Sequence, residues 1–231
     1  MKSYGQFCPV AKAAELFCGR WTPLIFRNLA MGATRFSEIH RGVPLMSPTL
    51  LTQRLRQLEE EGVVERRPAG KSWTYHMTLA GAEFVPLVLA LSTWGQRWAR
   101  RQLADNEVDL GLLVWMIESG AWPGAFGDRR TVVRLEFSDQ PRAKRLWWFV
   151  NLKDKCELCL KDPGFDVDLF LTSTLRDMIY VIRGDLPLSR ALATGQLEAH
   201  GPTRMQRALA KWLNLGPHTR IKSQRADAIA I

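Results

Sequence analysis

Apolar residues between positions 9 and 31 recur every three or four residues, which is the spacing that lines one face of an α-helix. Pro9 marks the start, because proline lacks an N–H group and the first helical position does not need one. Gly19 and Pro23 interrupt the pattern, so it predicts either a broken helix or two short helices, ending at Gly32. The apolar positions are Val10, Ala13, Ala14, Phe17, Trp21, Leu24, Ile25 and Leu29.

The next segment predicts a short helix followed by a longer one. Residues 35–43 form the short helix, which ends before Pro44 because the residue preceding a proline avoids the helical region. The longer helix opens at Ser47, whose hydroxyl is suited to cap it, and Pro48 occupies its first position. Gly62 ends it. One face carries Leu51, Leu55 and Leu58, and the opposite face carries Thr49, Thr52, Gln53 and Arg56.

The pattern then changes to extended segments on either side of a tight turn. Residues 63–67 and 71–77 predict two strands, and Pro68-Ala69-Gly70 predicts the turn. A hairpin directly after two such helices is typical of a winged helix-turn-helix, a mostly α-helical fold with a β-hairpin as the wing. The cations near the tip of the hairpin are Arg66, Arg67 and Lys71.

The exposed face of the longer helix has the chemistry needed to read DNA. Gln is suited to adenine and Arg to guanine or a phosphate in the major groove, which the second helix of such a unit enters. Cations on the wing are suited to backbone phosphates or the minor groove. A solvated hairpin is the simpler interpretation of the wing alone, but its position after two helices favours DNA. The candidate DNA-binding residues are Arg35, Ser47, Pro48, Thr49, Thr52, Gln53, Arg54, Arg56, Arg66, Arg67 and Lys71.

A long apolar helix is predicted from about residue 80 to about residue 103. Its apolar residues recur at steps of three and four, and Pro86 lies either in its first turns or at a bend. A domain this small cannot bury so broad a stripe alone. We therefore interpret it as a dimerisation helix, with packing under the second domain as the alternative. The stripe consists of Phe84, Leu87, Val88, Leu91, Trp94 and Trp98.

The second half of the chain predicts an α+β domain. An apolar helix at 108–122 precedes the strand-like runs TVVRLEFSD, RLWWFVNLK, KCELCLKD and DVDLFLTST, helices near 174–183 and 187–195, the strand LEAHG and a helix near 202–214. This order indicates an antiparallel sheet with helices. The predicted organisation is a winged-helix domain at 1–104, a connecting helix and turn at 105–127, the α+β domain at 128–216 and a tail at 217–231.

Charge is distributed unevenly between the two parts. The chain has a formal net charge of +9, and residues 1–104 contain 14 Lys and Arg against 7 Asp and Glu. A basic first module suits a polyanion such as nucleic acid, although surplus Arg also serves solubility alone. We find no secreted disulfide pattern, no apolar run long enough for a membrane and no signal peptide at the start, so we expect a cytoplasmic protein without a membrane partner.

The sequence lacks the motifs of catalysis and of metal or cofactor binding. It has no Walker or dinucleotide-binding glycine loop, no G-x-S-x-G and no H-E-x-x-H, and its four histidines are scattered. Cys156 and Cys159 have the spacing of half a zinc site, but the other half is missing. Residues three apart on a strand point to opposite faces, so we interpret both as ordinary strand cysteines. We expect no enzyme, no metal and no cofactor.

The first hundred residues combine Cys8-Pro9, Gly19-Arg20-Trp21, Arg35-Phe36-Ser37-Glu38-Ile39, the Leu51/Leu55/Leu58-Glu59 helix, Gly62 and Thr78-Leu79-Ala80-Gly81. Over about residues 8–100, this combination resembles the HxlR-type winged-helix transcriptional regulators. The resemblance implies a homodimer that binds a roughly palindromic operator in double-stranded DNA. In the family that it resembles, a cysteine before this proline sometimes senses redox state or electrophiles, which makes Cys8 a candidate sensor; we favour the alternative that Cys8 is a small apolar residue at the dimer seam. Such regulators usually stop soon after the dimerisation helix, whereas this chain continues.

The second half contains DVDLFLTSTLRDMIYVIRGDLPLSRALATGQLEAHG and an amphipathic final helix. Over about residues 128–215, this order resembles the sterol-carrier-protein-like fold. The resemblance implies a cradle for a hydrophobic small molecule between sheet and helices, with ordinary core filling as the alternative for each residue. The candidate lining residues are Trp147, Phe149, Leu169, Leu171, Met178, Ile179 and Ile182.

The combined interpretation is a DNA-binding transcriptional regulator, with repression favoured, whose second domain senses a hydrophobic small-molecule effector. An effector changes operator affinity only through different affinities for the DNA-competent and other states. Two alternatives remain open. One is regulation through Cys8, and the other is a hydrophobic-ligand carrier that uses its winged helix for dimerisation only.

Overall fold

The structure is a computed structural model that describes residues 3–225. The chain divides into two compact units between Ser92 and Thr93, and each unit has its own hydrophobic core. The predicted tail at 217–231 extends beyond the described residues after Arg225.

The first unit consists of helices and one hairpin. Its elements are α1 (Pro9–Phe17), α2 (Thr22–Ala30), α3 (Phe36–Arg41), α4 (Pro48–Glu60), β1 (Val64–Ala69), β2 (Ser72–Met77) and α5 (Leu79–Trp94), the last of which ends two residues past the division. Of the two possibilities at residues 9–31, two short helices form. They separate at Trp21, which adopts a left-handed conformation with φ +78°.

The helix α4 forms where the apolar pattern predicts it. Ser47 accepts a hydrogen bond from the backbone N–H of Leu50 at 3.3 Å, which satisfies one of the unpaired donors of the first turn. Leu51, Leu55 and Leu58 are buried in the core of the unit together with residues of α2 and α3. The antiparallel β1–β2 hairpin follows directly, so the first unit is a winged helix-turn-helix.

Two local predictions in this region are wrong. The hairpin turn is Gly70-Lys71 rather than residues 68–70, because Ala69 pairs with Ser72 and Gly70 takes up the left-handed conformation at φ +63°. The long helical segment ends at Ala99 rather than near 103. Its α-helical part, α5, ends at Trp94 and continues as a π-helical turn at Gly95–Ala99, after which Arg100 is extended.

The second unit is α+β. After a helical turn it contains α6 (Leu110–Gly120), β3 (Thr131–Phe137), β4 (Leu146–Leu152), β5 (Lys155–Cys159), β6 (Leu169–Ser173), α7 (Leu175–Arg183), α8 (Leu188–Ala193), β7 (Leu197–His200) and α9 (Thr203–Trp212). These elements follow the order that the sequence predicts.

The sheet is mixed, so the prediction of an antiparallel sheet is wrong. Its strand order is β5-β4-β3-β6-β7, and β3 and β6 run parallel with Val133 opposite Leu169. Parallel neighbours need a long crossover connection, which here consists of the β4–β5 hairpin and the loop after it. A run of strands with short turns predicts consecutive hairpins. The local pattern does not indicate that the chain returns to pair β6 with β3 after the β4–β5 hairpin.

Candidate nucleic-acid interface

The helix α4 presents a polar face because its leucines occupy the opposite side. Thr49, Thr52, Gln53 and Arg56 are all exposed. The Thr52 hydroxyl donates to the Pro48 carbonyl at 3.0 Å, so it is partly satisfied within the helix. The Gln53 side chain makes no hydrogen bond within residues 3–225. Gln53 therefore has all its donors and acceptors available for a base edge.

Arg54 lies on a different side of α4 from the predicted face. It is half-buried, it donates to Gln57 Oε1 at 3.0 Å, and its guanidinium lies against Gly19. A Cβ on Gly19 would come within 2.9 Å of Arg54 Nη1, so the glycine makes room for this side chain. These contacts indicate that Arg54 packs α4 against the start of α2.

One cation of the wing, Arg66, lies on an aromatic ring. The Arg66 guanidinium lies 4.3 Å from the centroid of the Trp73 ring, in the geometry of a cation–π contact between the two strands. Arg67 and Lys71 are exposed farther along the hairpin. Trp73 was not among the sequence candidates. The sequence feature that could have identified it is an aromatic residue close to the polar tip of the predicted hairpin.

Three of the exposed arginines are paired with glutamates. Arg56 contacts Glu60 at 2.9 Å, Arg66 contacts Glu59 at 3.4 Å, and Arg67 Nε donates to Glu65 at 2.9 Å. Exposed pairs of this kind contribute about 0–1 kcal/mol each. A phosphate or a guanine edge can therefore replace the glutamate at a small cost in free energy. Without DNA, the glutamate keeps the arginine side chain at the protein surface.

A groove lies between the start of α3 and the wing. It has a volume of about 580 Å³. Arg35 forms an isolated β-bridge with Thr74, and the Tyr75 N–H donates to the Thr34 carbonyl at 2.8 Å, so strand-like contacts join the two walls. The groove adds Ser37, Trp73 and Tyr75 to the predicted Arg35 and Lys71. Its lining residues are Arg35, Phe36, Ser37, Lys71, Ser72, Trp73 and Tyr75.

A buried asparagine ties the two helices that precede α4. Asn28 is fully buried, and its side-chain amide donates to the Ile39 carbonyl at 2.9 Å. Arg27 donates to Asn28 Oδ1 and to the Gly42 carbonyl, and burial lowers the pKa of Arg27 to about 10. These contacts hold α3 against α2 and so define the turn from which α4 starts.

The first turn of α5 contains Gly81, and the close approach of Val63 explains why this position is a glycine. It is buried, and a Cβ at this position would overlap the carbonyl oxygen of Val63. That carbonyl accepts a hydrogen bond from Thr78 N–H at 3.2 Å, and the Thr78 hydroxyl donates to the Gly62 carbonyl at 2.7 Å. The close approach fastens the start of α5 to the start of the wing.

Comparison with known proteins places this unit in a family. The profile of the HxlR-like helix-turn-helix family matches residues 16–103. The HTH-type transcriptional regulator YvaP of Bacillus subtilis is 35% identical over 104 residues, which are 43% of this chain and 96% of that protein. The chain belongs to the HxlR-like family. It is a helix-turn-helix transcriptional regulator, and the family match ends before α6.

Two further similarities each involve about two fifths of this HxlR-like chain. An HTH-type transcriptional regulator of Methanothermobacter thermautotrophicus is 33% identical over 103 residues, or 43% of this chain and 79% of that protein. The solved structure of the redox regulator HypR in its oxidized form is 31% identical, with a TM-score of 0.38, over 41% of this chain and 99% of that chain.

The seven predicted effector-binding residues come together in the core of the second unit. Phe149, Leu169, Leu171 and Met178 are at most 1% exposed, and Ile179 is 8% exposed. Trp147 and Ile182 are partly buried against the same cluster. All seven therefore belong to the hydrophobic cluster of this unit. None of the seven lines the cavity that α7, α8 and the segment after α9 form together.

Cys8 lies at the N-cap position of α1. It is half-buried, and its side chain makes no capping hydrogen bond to the first turn of the helix. Within residues 3–225, no three His, Cys, Asp or Glu side chains are grouped as metal ligands. Every helix in that range is either too short or too polar to traverse a lipid bilayer.

The cysteines of β5 are held as neutral thiols. Burial raises the pKa of Cys156 to about 12, and the nearby carboxylates of Glu118 and Glu157 act in the same direction. The pKa of Cys159 is raised by burial and by the same two glutamates. Because the thiolate is the nucleophile, both cysteines are poor nucleophiles at neutral pH.

We expect Cys156 to react with iodoacetamide at least about tenfold more slowly than the exposed Cys18 at pH 8, because so little of it is thiolate. Mass spectrometry of timed samples measures each rate. In urea, the two rates should become similar. Equal rates in the folded protein would contradict the burial and charge assigned to β5.

Proposed function

We propose that this regulator binds double-stranded DNA as a homodimer, with α4 in the major groove and the β1–β2 wing on the backbone. The observation that carries the proposal is the exposed polar face of α4, which is followed directly by a wing with three cations. Gln53 and Arg56 are the base-reading side chains. Ser47 and Thr49, near the N-terminus of α4, are placed for the phosphate backbone.

The apolar surface of the first unit supports a dimer. Phe84 and Val88 pack against the core of that unit, whereas Leu87, Leu89 and Leu91 are 54–62% exposed. A helix that is apolar on several sides is usually buried, and monomers rarely expose large apolar patches. A second copy supplies the missing cover. It also places two α4 helices on one duplex, which selects a roughly palindromic operator.

If α5 forms the dimer contact, charged substitutions on its exposed apolar face should convert the dimer to a monomer. Leu87→Asp with Leu91→Asp places charges one turn apart on α5, and we expect the protein to sediment as a monomer at concentrations where the wild type is a dimer. The matched control is Ser92→Asp, a single charge at an exposed polar position of the same helix. Sedimentation velocity measures the difference. A wild type that is monomeric, or a leucine variant that remains dimeric, would contradict the proposed dimer face.

The wing predicts a uniform loss of affinity rather than a loss of discrimination. Alanine at Arg66, Arg67 and Lys71 removes cations that face phosphates, so binding to every DNA sequence should weaken by a similar factor. The dependence of log K on log salt should fall by about 0.9 for each phosphate that the wing no longer neutralises. Fluorescence anisotropy with labelled duplexes at several salt concentrations tests this. An unchanged slope would exclude the wing from the interface.

The regulatory part of the proposal concerns the second unit. We propose that it binds a hydrophobic small molecule and that binding changes operator affinity, with repression as the output. The supporting feature is that the DNA-binding unit is joined to a separate α+β unit with its own hydrophobic core. The ligand acts only if it binds the DNA-competent state with a different affinity, so its titration against operator affinity is the test. A bound ligand with unchanged operator affinity would remove this part alone.

A further inference from the structure

The segment after α9 covers a cavity in the second unit. Residues 219–222 and the turn between α7 and α8 line a partly open cavity of about 300 Å³. Gly184 adopts φ +78°, and a Cβ there would overlap the carbonyl oxygen of Thr219. Gln224 N–H donates to the Arg97 carbonyl at 2.8 Å. The segment therefore lies against two separate parts of the unit and forms one wall of the cavity.

The lining of this cavity is apolar on one side and cationic on the other. The apolar side comes from α7, α8 and the covering segment, and it consists of Val181, Leu186, Leu188, Leu215 and Ile221. The cationic side consists of Arg100, Arg220 and Lys222. No acidic residue lines the cavity within residues 3–225.

Two of the cations have no counter-charge in the described chain. Arg220 and Lys222 are exposed and form no ion pair within residues 3–225. Arg100 is different, because its side chain is 10% exposed and its Nε lies 3.1 Å from Asp185 Oδ1. Asp185 also pairs with Arg183 at 3.0 Å, so one carboxylate is shared by two guanidinium groups. The surroundings of the cavity therefore carry a positive excess.

Arg100 is positioned by several bonds besides its ion pair. Its guanidinium donates to the carbonyls of Arg183 and Ile221 at 3.2 and 3.3 Å. The contact with Ile221 attaches Arg100 to the covering segment itself. Arg100 is thus held in the wall of the cavity by its own partners, and Arg220 and Lys222 keep their charges available for a negative group.

We propose that this cavity binds a small organic acid, in which an aliphatic or aromatic body lies against the leucines and a carboxylate meets Arg220 and Lys222. Pockets for small molecules are mostly apolar with a few polar groups that fix orientation, and a volume near 300 Å³ is at the small end of their range. Binding does not require DNA. Only the use of this acid as the effector depends on the proposed function.

The test uses three probes that share an eight-carbon chain and differ in charge: octanoate, 1-octanol and octylammonium. Isothermal titration calorimetry with the full chain in the absence of DNA should give one octanoate site per chain. We expect octanoate to bind at least about tenfold more tightly than 1-octanol, and octylammonium to bind most weakly. Equal affinities for the three probes, or no octanoate binding up to about 10 mM, would overturn the proposal.

The variants separate this site from other apolar surfaces. Arg220→Ala with Lys222→Ala should weaken octanoate binding at least about tenfold and leave 1-octanol unchanged. Lys161→Ala with Arg207→Ala removes the same charge from exposed positions that do not line the cavity, and it should leave octanoate binding unchanged. Octanoate affinity that falls equally in both double variants would reject a specific site.

A filled cavity provides the second test. Leu188→Trp adds a bulky ring at a half-buried lining position and should abolish the octanoate site, with the fold checked by circular dichroism. Full binding by a folded Leu188→Trp variant would place the acid elsewhere. These titrations contain no DNA, so a failure to bind octanoate would not count against the proposed DNA binding. In the same way, a failure to bind DNA would not affect the interpretation of the octanoate titrations.

Discussion

Replacing Gln53 and Arg56 together with alanine is expected to remove most of the preference of this regulator for its operator over unrelated DNA. Each base-reading side chain contributes about 1–3 kcal/mol of discrimination, and a homodimer presents two copies of each. The combined loss is comparable with the total preference of a typical regulator for its site, about 4–10 kcal/mol. The measurement is the ratio of the Kd values for operator and scrambled duplexes, by fluorescence anisotropy.

The structure explains why these two side chains carry the expected effect. Gln53 is exposed and has no side-chain partner within residues 3–225. Arg56 is exposed, and its one partner within residues 3–225 is Glu60, in a pair that DNA can replace. Thr52, by contrast, already donates its hydroxyl to the helix backbone. We therefore expect Thr52→Ala to change discrimination less than either neighbour.

Arg54 provides a matched control. Arg54→Ala removes the same charge from the same helix as Arg56→Ala, but the side chain lies against Gly19 and Gln57. We expect the Arg54 variant to keep its discrimination ratio, provided that it remains folded by circular dichroism. Loss of discrimination in the Arg54 variant and not in the Arg56 variant would mean that a different face of α4 meets the bases.

Trp212→Ala is expected to cost the second unit about 3–5 kcal/mol of unfolding free energy, the usual range for removing a buried Trp side chain. Trp212 is fully buried, and its ring centroid lies 5.7 Å from those of Phe126 and Phe149. Its Nε1 donates to Asn151 Oδ1 at 2.7 Å. The substitution therefore leaves a large cavity and an unsatisfied amide oxygen in the same place.

Trp212→Phe separates these two contributions. It keeps most of the ring packing and removes the hydrogen bond, so we expect a loss of about 1–3 kcal/mol. Urea unfolding followed by fluorescence measures both variants. The remaining tryptophans supply the signal, and a shift in midpoint without a change in slope reports stability alone. Equal losses in the two variants would mean that the hydrogen bond, and not the packing of α9 on the sheet, stabilises this core.

The winged helix could be predicted because its signals are local. Ser47 and Pro48 mark the start of α4, three leucines at helical spacing mark its buried face, and Gly62 marks its end. Each of these features acts over a few residues, so a single sequence is enough. The orientation of the Arg54 side chain depends on Gly19, which is far away in the sequence. The local pattern around Arg54 therefore does not predict this orientation.

The second unit shows where local reasoning fails. Its elements occur in the predicted order, but the parallel pairing of β3 with β6 joins segments separated by a complete hairpin. The predicted end of the long helix failed for a similar reason. The backbone of Arg100 is extended, and its side chain pairs with the carboxylate of Asp185, a residue far away in the sequence. Long-range contacts of this kind leave no periodic pattern behind.

The cavity beside Gly184 was also beyond the sequence pattern. The predicted lining residues alternate on β4 and β6 and repeat along α7, which is the pattern of core residues and of pocket residues alike. The cations that line the cavity come from the end of the π-helical turn after α5 and from the segment after α9. Only the folded unit brings Arg100 and Lys222 to one place.

The most direct test of the central claim is the recovery of genomic DNA fragments by the purified full chain, followed by sequencing. We predict that the wild type enriches a small set of fragments that share an inverted repeat, with half-site centres about one helical turn, or a multiple of it, apart. The Gln53→Ala, Arg56→Ala double variant should lose that enrichment. Enrichment of the same fragments by the wild type and the double variant, or no shared sequence among the recovered fragments, would contradict the proposal that α4 reads the operator.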